Sequence, residues 1–312
     1  MTATIENRAI RERTRRARAL LGQARAERFA VGAFNADSLG TLRAVCRAAR
    51  ACAAPVLIEL SHTEAEAIGL HNARAVLDNE VGDLGIEAYL NLDHAPTIAG
   101  AAAAVDAGFE FVHLDLFQSH PDATEADVVT ATRELVEHAR STGALVEGEQ
   151  QYLTGSSTVH HDEINPALIE RTISTPDGAR RFVDLTGIDI FAIGIGNVHG
   201  RYLAPKMLRL DVLVGVRDAI DVSISLHGGS GTSDDLYRAV ARRGITKVNI
   251  NSDIRYAYRT ILEHQLAVHP DEYATVKLMD PVLDAVQRVA EAKICAFGSA
   301  GRARPPSSRS DD

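Results

Sequence analysis

The sequence predicts an α/β protein built as one (β/α)8 TIM barrel, with an extra N-terminal helix and C-terminal closing helices. Eight short apolar runs alternate with helical segments along the chain, and eight parallel strands are the number that closes such a barrel. The 312 residues suit one large domain, and no change in composition marks a second one. An open, doubly wound sheet is the alternative. It is disfavoured because no Gly-x-Gly-x-x-Gly turn follows the first run.

The eight runs are typical of buried parallel strands because their apolar residues are nearly continuous. In chain order they are Phe29–Phe34, Pro55–Leu60, Ala88–Leu92, Phe109–Leu114, Ala144–Glu147, Ile188–Ile195, Val222–Leu226 and Thr246–Ile250. The helices after the last two strands are predicted to begin at the cap-like residues Ser233 and Ser252. A long polar segment, from Gln150 to about Asn165, follows the fifth strand and is predicted to be a loop.

The two ends of the chain differ in character. Between Ile10 and Arg28, apolar residues at helical spacing predict a short amphipathic helix over one end of the barrel. This segment lacks the apolar core of a signal peptide, so no targeting role is expected. The barrel domain is predicted to span residues 1–301, with closing helices reaching about Phe297. Residues 302–312 are rich in Pro, Ser and charge and are predicted to be a disordered tail.

Composition narrows the classes of function. Hydrophobic residues make up 46 % of the chain but aromatic residues only 5 %, so Ala, Val, Leu and Ile must build the core. A net charge of −9 argues against general nucleic-acid binding. Three cysteines without a paired framework favour a reducing cytoplasm, and Cys46 and Cys52 are interpreted as helix packing residues. No apolar run approaches the ~20 residues that span a bilayer.

Three histidines and three carboxylates follow the ends of different predicted strands. Because the active site of such a barrel forms at the C-terminal strand ends, these side chains are expected to converge. They are His94, His199, His227, Asp93, Asp115 and Glu149. Three neutral imidazoles with an open fourth position are the ligands of a catalytic Zn²⁺ site, and three independent structural histidines are the alternative. His113 is expected to point to the opposite face of its strand and is left out of this set.

Two loops predict a phosphate site. The loop after the seventh strand contains Gly228, Gly229, Ser230 and Gly231, and the next loop contains the run Asn-Ser-Asp at residues 251–253. Barrels often bind phosphate with these two loops, because backbone N–H groups, hydroxyls and a helix N-terminus hold an anion without lysine. For the serine at position 252 alone, a plain helix cap is the alternative.

Five motifs, taken together, resemble the class II fructose-bisphosphate/tagatose-bisphosphate aldolases. They are Asn91–Ala95 (NLDHA), Gly196–Gly200 (GNVHG), Leu226–Gly231 (LHGGSG), Lys247–Ser252 (KVNINS) and Phe297–Gly301 (FGSAG). The resemblance runs from about Val31 to Gly301. It implies reversible aldol cleavage of a ketose (bis)phosphate to dihydroxyacetone phosphate and an aldehyde. A Zn²⁺ Lewis acid would stabilise the enediolate, so no Schiff-base lysine is needed, and Lys247 is interpreted as a charged residue inside the barrel.

The resemblance also implies roles for single residues. The metal set would be His94, His199 and His227 for Zn²⁺, with Asp115 and Glu149 facing the metal in its alternative position. Asp93 would be the acid/base on the aldehyde side, and Asn249 would contact the hydroxyl of dihydroxyacetone phosphate. The substrate and phosphate set would be Asn35, Ser61, Gly200, Gly228, Ser230, Asn249, Asn251 and Ser252. Na⁺ or K⁺ near the phosphate and a homodimer or homotetramer are also implied.

The sequence departs from the family pattern in two regions. In the loop after the fifth strand, Ser157 stands where a glutamate base is expected, and serine without a partner is a poor base. Candidate replacements nearby are His160, His161, Asp162 and Glu163. The other departures, Phe117 and Gln118 after the fourth strand and His62 after Ser61, are expected to reshape the pocket for the aldehyde.

Three functions follow from these observations. The first is a cytoplasmic, zinc-dependent aldolase of carbohydrate metabolism, such as glycolysis, that uses dihydroxyacetone phosphate and an aldehyde other than, or besides, glyceraldehyde 3-phosphate. The second is the same chemistry redirected to a non-standard aldehyde in a specialised pathway. The third is a catalytically silent subunit that binds a sugar phosphate, because the expected base is absent.

Overall fold

The computed structural model describes residues 2–151, 155–160, 169–202 and 207–304, and leaves the side chains of residues 2–6, 155–160 and 201–202 undescribed. Eight parallel strands form a closed barrel in the order β1-β10-β9-β7-β5-β4-β3-β2. These strands are β1 (Val31–Asn35), β2 (Val56–Ser61), β3 (Ala88–Ala95), β4 (Phe111–Leu114), β5 (Leu145–Glu149), β7 (Ile190–Ala192), β9 (Ser223–Leu226) and β10 (Lys247–Ile250).

The closed barrel confirms the predicted fold class. Strand β1 pairs with β2 on one side and with β10 on the other, so the sheet has no edge and the open-sheet alternative is excluded. Each of the eight predicted runs contains one barrel strand or overlaps most of it. The apolar pattern located the strands because both faces of every strand are buried, one inside the barrel and one beneath the helices.

A second, two-stranded sheet lies outside the barrel and was not predicted. Strands β6 (Gly155–His160) and β8 (His199–Tyr202) pair in parallel, with Gly155 opposite His199. The prediction of a plain loop from Gln150 to about Asn165 is therefore wrong at β6. The two strands come from separate loops, and polar segments that pair only with each other show no apolar pattern in the sequence.

Eleven helices surround the barrel in the described part of the chain. They are α1 (Thr2–Glu27), α2 (Leu39–Ala51), α3 (His62–Ile68), α4 (Leu70–Leu84), α5 (Ile98–Asp106), α6 (Glu125–Ala139), α7 (Pro176–Thr186), α8 (Leu210–Ala219), α9 (Asp234–Arg243), α10 (Ser252–Val268) and α11 (Thr275–Phe297). Ser233 caps α9 as predicted, because its side chain accepts from the Leu236 N–H. The predicted cap at Ser252 is wrong by one residue: Asn251 is the N-cap, its carbonyl accepts from the Arg255 N–H, and Ser252 is the first helical residue.

Helix α1 covers one end of the barrel, as predicted, and this is the N-terminal end of the strands. The helix is 26 residues long rather than short. Its buried face, which includes Leu20 and Leu21, forms one cluster with residues such as Tyr89 and Phe111 from the barrel strands. Its arginines pair with acidic residues beside those strand ends, for example Arg13 with Glu110 at 2.9 Å. The helix thus closes the end of the barrel opposite to the predicted active site.

We expect Leu20→Ala to lower the free energy of unfolding by ~2–5 kcal/mol, because it opens a cavity in a packed cluster. Leu20 is 0 % exposed. Urea unfolding followed by circular dichroism measures the change. Arg15→Ala on the exposed face of α1 is the matched control and should change stability by less than about 0.5 kcal/mol. Equal losses in the two variants would show that α1 does not form part of the core.

Candidate active site

A pocket of about 270 Å³ opens at the C-terminal ends of the barrel strands. Its lining includes thirteen of the residues singled out for catalysis, metal or substrate, which come from seven of the barrel strands or the loops after them. They are Asn35, Ser61, Asp93, His94, Asp115, His199, Gly200, His227, Gly228, Ser230, Asn249, Asn251 and Ser252. Thr63, Gln118 and Arg255 complete the lining. Parallel strands in a closed barrel bring residues together that are more than 200 positions apart in the chain.

The three predicted metal-binding histidines share this pocket. The Nε2 atom of His94 and the Nδ1 atom of His227 are 3.0 Å apart. His199 lies somewhat further out, with its ring centroid 5.0 Å from that of His94 and 6.2 Å from that of His227. All three histidines thus line one pocket. Ligand atoms of His94 and His227 lie within 4.8 Å of one another, together with those of Asp93 and His113, and this group does not include His199.

The backbone at the end of β3 places both Asp93 and His94 in the pocket. Successive residues of a regular strand point to opposite faces. Here the pairing of β3 with β4 shifts register between Leu92 and Ala95, and His94 adopts a left-handed φ of 49°. Such a conformation is strained for a residue with a β-carbon, and strain of this kind is concentrated at functional sites. It turns two adjacent polar side chains toward the same space.

Carboxylates hold the imidazoles of His94 and His227 from behind. Asp115 lies 2.7 Å from Nδ1 of His94, and Glu147 lies 2.5 Å from Nε2 of His227. Each carboxylate accepts an N–H from the outer ring nitrogen, so the inner nitrogens, which face each other, are the ones that can bind a cation. Burial opposes a charge on His94, but the neighbouring carboxylates of Asp93 and Asp115 raise its pKa to about 10, so a cation that binds the inner nitrogen of His94 has to displace a proton from it.

Glu149 lies beside Asp115, the other residue for which the resemblance implies a position facing the metal in its alternative location. Ligand atoms of His94, Asp115 and Glu149 lie within 4.8 Å of one another, which forms a second group that could hold a metal ion. Burial and then the charge of Asp115 raise the pKa of Glu149 well above its usual value. A cation bound nearby would favour the ionised form of Glu149.

The prediction that His113 points away from the site is wrong. His113 is completely buried, and its ring centroid lies 4.5 Å from that of His94 and 4.8 Å from that of His227. Its Nδ1 atom is 3.7 Å from Asp93. The reason is the period of two in a strand: Phe111, His113 and Asp115 occupy alternate positions and so share the inner face. His113 adds a fourth imidazole to the cluster.

A buried ionic network lies beneath His227, and sequence reasoning did not identify its carboxylates. Nζ of Lys247 is 2.7 Å from Glu147 and 3.3 Å from Glu59, and all three side chains are 0 % exposed. Although burial opposes the charge, these carboxylates raise the pKa of Lys247. Lys247 thus lies inside the barrel between two carboxylates, which is the position of a charged residue in the barrel interior that the sequence suggested. The sequence does contain a signal for these carboxylates, because Glu59 is a charged residue within the otherwise apolar run Val56–Leu60.

The predicted phosphate loops lie side by side. Ser230 Oγ accepts from the Asp253 N–H at 3.3 Å, which joins the loop after β9 to the N-terminus of α10. Gly228 has a φ of 59°, and a β-carbon there would lie 2.4 Å from the Val198 carbonyl oxygen. Only glycine lets the β9 loop approach the segment before His199 so closely. The arrangement leaves hydroxyls and a helix N-terminus around one volume, which suits an anion.

Asn249 connects the phosphate loops to the acid/base candidate. Its Nδ2 donates to Asp93 Oδ1 at 3.1 Å and lies 3.4 Å from Nδ1 of His227. On the other side of the pocket, Asn35 donates to Glu64 at 3.0 Å. Amides thus orient the carboxylates at both edges of the pocket.

The sequence model of the family described as class II fructose-bisphosphate aldolase matches residues 15–302 of this chain. The chain belongs to the class II fructose-bisphosphate aldolase family. It is therefore a lyase, and its closed barrel is the fold of this family. No helix in the described ranges is both long enough and apolar enough to span a membrane.

Individual relatives are distant but match over nearly their whole length. A fructose-bisphosphate aldolase of Geobacillus stearothermophilus is 28 % identical over 91 % of this chain and 96 % of its own. A sulfofructosephosphate aldolase of Alkalicoccus urumqiensis is 25 % identical over the same shares. The crystal structure of a putative fructose-1,6-bisphosphate aldolase from Coccidioides immitis superposes with a TM-score of 0.79, at 25 % identity over 91 % of this chain and 96 % of that one.

Three residues were expected to reshape the pocket because the sequence departs there from the family pattern. Only one of them lines the pocket. Gln118 lines the pocket and donates to Asp115 at 3.0 Å, from a short 3₁₀ helix after β4. Phe117 packs against the hydrophobic core, and His62 lies at the surface, 3.4 Å from Glu66. Only Gln118 therefore contacts the pocket directly. The residues His161, Asp162 and Glu163, and the side chains of Ser157 and His160, lie outside the described part of the chain.

Proposed function

We propose that this aldolase is metal-dependent and cleaves a ketose (bis)phosphate reversibly to dihydroxyacetone phosphate and an aldehyde. The observation that carries the proposal is the shared loop after β9. His227 and Ser230 lie three residues apart and line the same pocket, so one turn serves both the metal set and the phosphate set. A phosphorylated ketone held by Ser230 and Ser252 would present its reacting carbons to the imidazoles.

The side chains fit a Zn²⁺ ion. The donor set of His94, His199 and His227 is entirely nitrogen, and the outer ring nitrogens of His94 and His227 are held by Asp115 and Glu147. This orientation by carboxylates is typical of zinc-binding histidines. When bound, Zn²⁺ would supply positive charge that stabilises the carbanion left by C–C cleavage. We also propose that a monovalent cation, Na⁺ or K⁺, binds near the phosphate, as the resemblance to the class II aldolases implies.

The residues of the chain carry out the remaining steps. Asp93 takes the proton from the hydroxyl on the aldehyde side during cleavage and returns it during condensation. Burial opposes ionisation of Asp93, but the charges of His94 and the other nearby cations lower its pKa, so it is a carboxylate before the substrate binds. The amide of Asn249 orients this carboxylate, and Asn35 and Ser61 contact the substrate at the opposite edge.

The second part of the proposal concerns the aldehyde. The enzyme uses an aldehyde other than glyceraldehyde 3-phosphate, or accepts other aldehydes besides it. Gln118 supports this second part of the proposal, because it occupies the pocket wall beside Asp115 where the aldehyde would lie. The relative from Alkalicoccus urumqiensis, which is 25 % identical, is named a sulfofructosephosphate aldolase, and this name of a distant relative also supports a substrate other than fructose bisphosphate. We also propose that the protein is cytoplasmic and forms a homodimer or homotetramer. Light scattering of the purified protein would test the oligomeric state.

The test is cleavage of fructose 1,6-bisphosphate and tagatose 1,6-bisphosphate by the zinc-loaded protein, followed by coupled oxidation of the released triose phosphate. We expect cleavage of at least one sugar, loss of activity with a chelator and recovery with Zn²⁺. A screen of aldehydes with dihydroxyacetone phosphate identifies the preferred partner. If neither cleavage nor condensation occurs under any of these conditions, the aldolase proposal is wrong.

A silent sugar-phosphate-binding subunit is the second candidate function, because Ser157 replaces the expected glutamate. It would bind dihydroxyacetone phosphate without exchanging its C–H proton in D₂O. NMR detection of exchange would exclude it, and exchange would also show that another group in the chain acts as the base.

A further inference from the structure

Helices α2 and α11 pack along each other at the seam where the barrel closes. Helix α2 follows the first barrel strand, and α11 is the last helix in the described part of the chain. Leu283 of α11 lies against Gly40 near the start of α2, where a β-carbon would be 3.0 Å from its Cδ2. Further along both helices, Gln287 Oε1 accepts from Arg47 Nε at 2.8 Å. The residue numbers of the contacts increase together, so the two helices run in the same direction.

Cys295 continues this row of contacts to the end of α2. Glu291 and Cys295 follow Gln287 at intervals of four residues and so lie on the same face of α11, the face turned to α2. Cys52 is the C-cap of α2 and packs against the hydrophobic core, as interpreted from the sequence. The thiols of Cys52 and Cys295 meet where the two helices end, and they make a side-chain hydrogen bond.

Backbone hydrogen bonds hold this end of the seam. The Cys52 carbonyl accepts from the Gly301 N–H at 2.9 Å, in the chain that follows α11. The Phe297 carbonyl accepts from the Ala30 N–H, just before β1, at 3.1 Å. The two thiols therefore lie at the N-terminal end of the barrel strands, opposite to the pocket.

The three cysteines of the chain differ in access. Cys295 is exposed and Cys52 is partly buried. Burial, and then the neighbouring thiol of Cys295, raise the pKa of Cys52 to about 11. An exposed thiol is the first to react with an external reagent, and a thiol beside it then attacks the product. Cys46 is completely buried, and burial raises its pKa to about 12, so it should remain unreactive in the folded protein.

We propose that Cys52 and Cys295 form a reversible disulfide that joins α2 to α11, with a small disulfide such as oxidised glutathione as the oxidant. The Cys295 thiolate attacks one sulfur of the small disulfide, whose S–S bond breaks and releases one small thiol. The Cys52 thiolate then attacks the Cys295 sulfur of the mixed disulfide and releases the second small thiol. The two protein sulfurs lose two electrons to the small disulfide, and their protons pass to the released thiols.

The bridge is expected to stabilise the closed barrel without changing the active site. It joins residues more than 200 positions apart, so it strongly restricts the unfolded chain. An excess of the small thiol reverses both steps and opens the bridge. Disulfides of intracellular proteins are usually of this transient, redox-sensing kind. The inference is independent of the proposed aldol reaction, because the bridge lies away from the pocket.

The experiment incubates the folded, full-length protein with an excess of oxidised or of reduced glutathione, and then alkylates the remaining thiols for peptide mass spectrometry. In the oxidised sample we expect one cross-linked pair of peptides that contains Cys52 and Cys295, with Cys46 recovered as a free thiol. The unfolding temperature of the oxidised protein should be roughly 3–10 °C higher than that of the reduced protein. Reduced glutathione should reverse both changes.

Cys295→Ser should abolish the cross-link and the rise in unfolding temperature, and its exposed position keeps the fold intact. Cys46→Ala is the matched control, because it retains both partners and should show the same rise on oxidation as the wild type. Glutathione attached to Cys52 or Cys295 without a cross-link, or a disulfide between two copies of the chain, would overturn the proposal. An equal rise in unfolding temperature in Cys295→Ser would also contradict it.

Discussion

Replacing His227 with alanine is expected to reduce sugar-phosphate cleavage by at least about 1,000-fold and to remove most of the bound zinc. His227 is 0 % exposed, and its two ring nitrogens lie near His94 and Glu147. Without the imidazole, the donor set loses one of its three nitrogens, and the site loses the charge that stabilises the reacting carbanion. Activity assays and metal analysis by mass spectrometry measure the two effects on the same sample.

His264→Ala is the matched control for this variant, because His264 is an exposed histidine on α10. It should keep full activity and full zinc content. Circular dichroism of both variants establishes that they are folded. Stoichiometric zinc together with undiminished activity in His227→Ala would refute the assignment of His227 as a ligand.

Asp93→Asn is expected to lower kcat for cleavage by ~10²–10⁴-fold while zinc stays bound. The amide retains the size of the side chain and an oxygen that can accept from Asn249, but it cannot take a proton. If Asp93 acts only on the aldehyde side, the variant should still exchange the C–H proton of dihydroxyacetone phosphate in D₂O. Steady-state kinetics and NMR exchange, measured in parallel, separate the two half-reactions.

The matched control for Asp93→Asn is Asp122→Asn, an exposed carboxylate in the loop after β4. It should leave both reactions unchanged. Zinc loss from Asp93→Asn would show instead that Asp93 is a metal ligand, which its position within 4.8 Å of the His94, His113 and His227 ligand atoms also permits. A normal kcat would rule out both roles.

The barrel and most of the pocket residues could be predicted from the sequence for the same physical reason. Strands buried on both faces are apolar throughout, so their C-terminal ends stand out in the sequence as the points where polar residues begin. His94, His199 and His227 were found in this way, because closure of a parallel barrel brings all strand ends to one rim. Asp93 and Ser230 followed from their positions beside these histidines.

Residues inside the strands were predicted less well. His113 was placed on the wrong face, although a period of two assigns it to the same face as Asp115. Glu59 and Glu147 gave a signal as charged residues in apolar strands, but their partner, Lys247, comes from a strand 100 or more residues away. Which charges meet inside a barrel depends on the register between strands, and register is a property of the pairing and not of one strand.

The sequence by itself determined the fold class, the end of the barrel that carries the site and the chemical character of the site. Local patterns suffice for these features, since apolar periodicity and turn residues act over short distances. Only the tertiary structure decided that the β3 bulge turns Asp93 and His94 inward together and that His113 joins them. It also decided that Arg255, which pairs with Glu64, lines the pocket. Each of these depends on contacts between segments distant in the chain, because strand register and helix docking set the direction of a side chain.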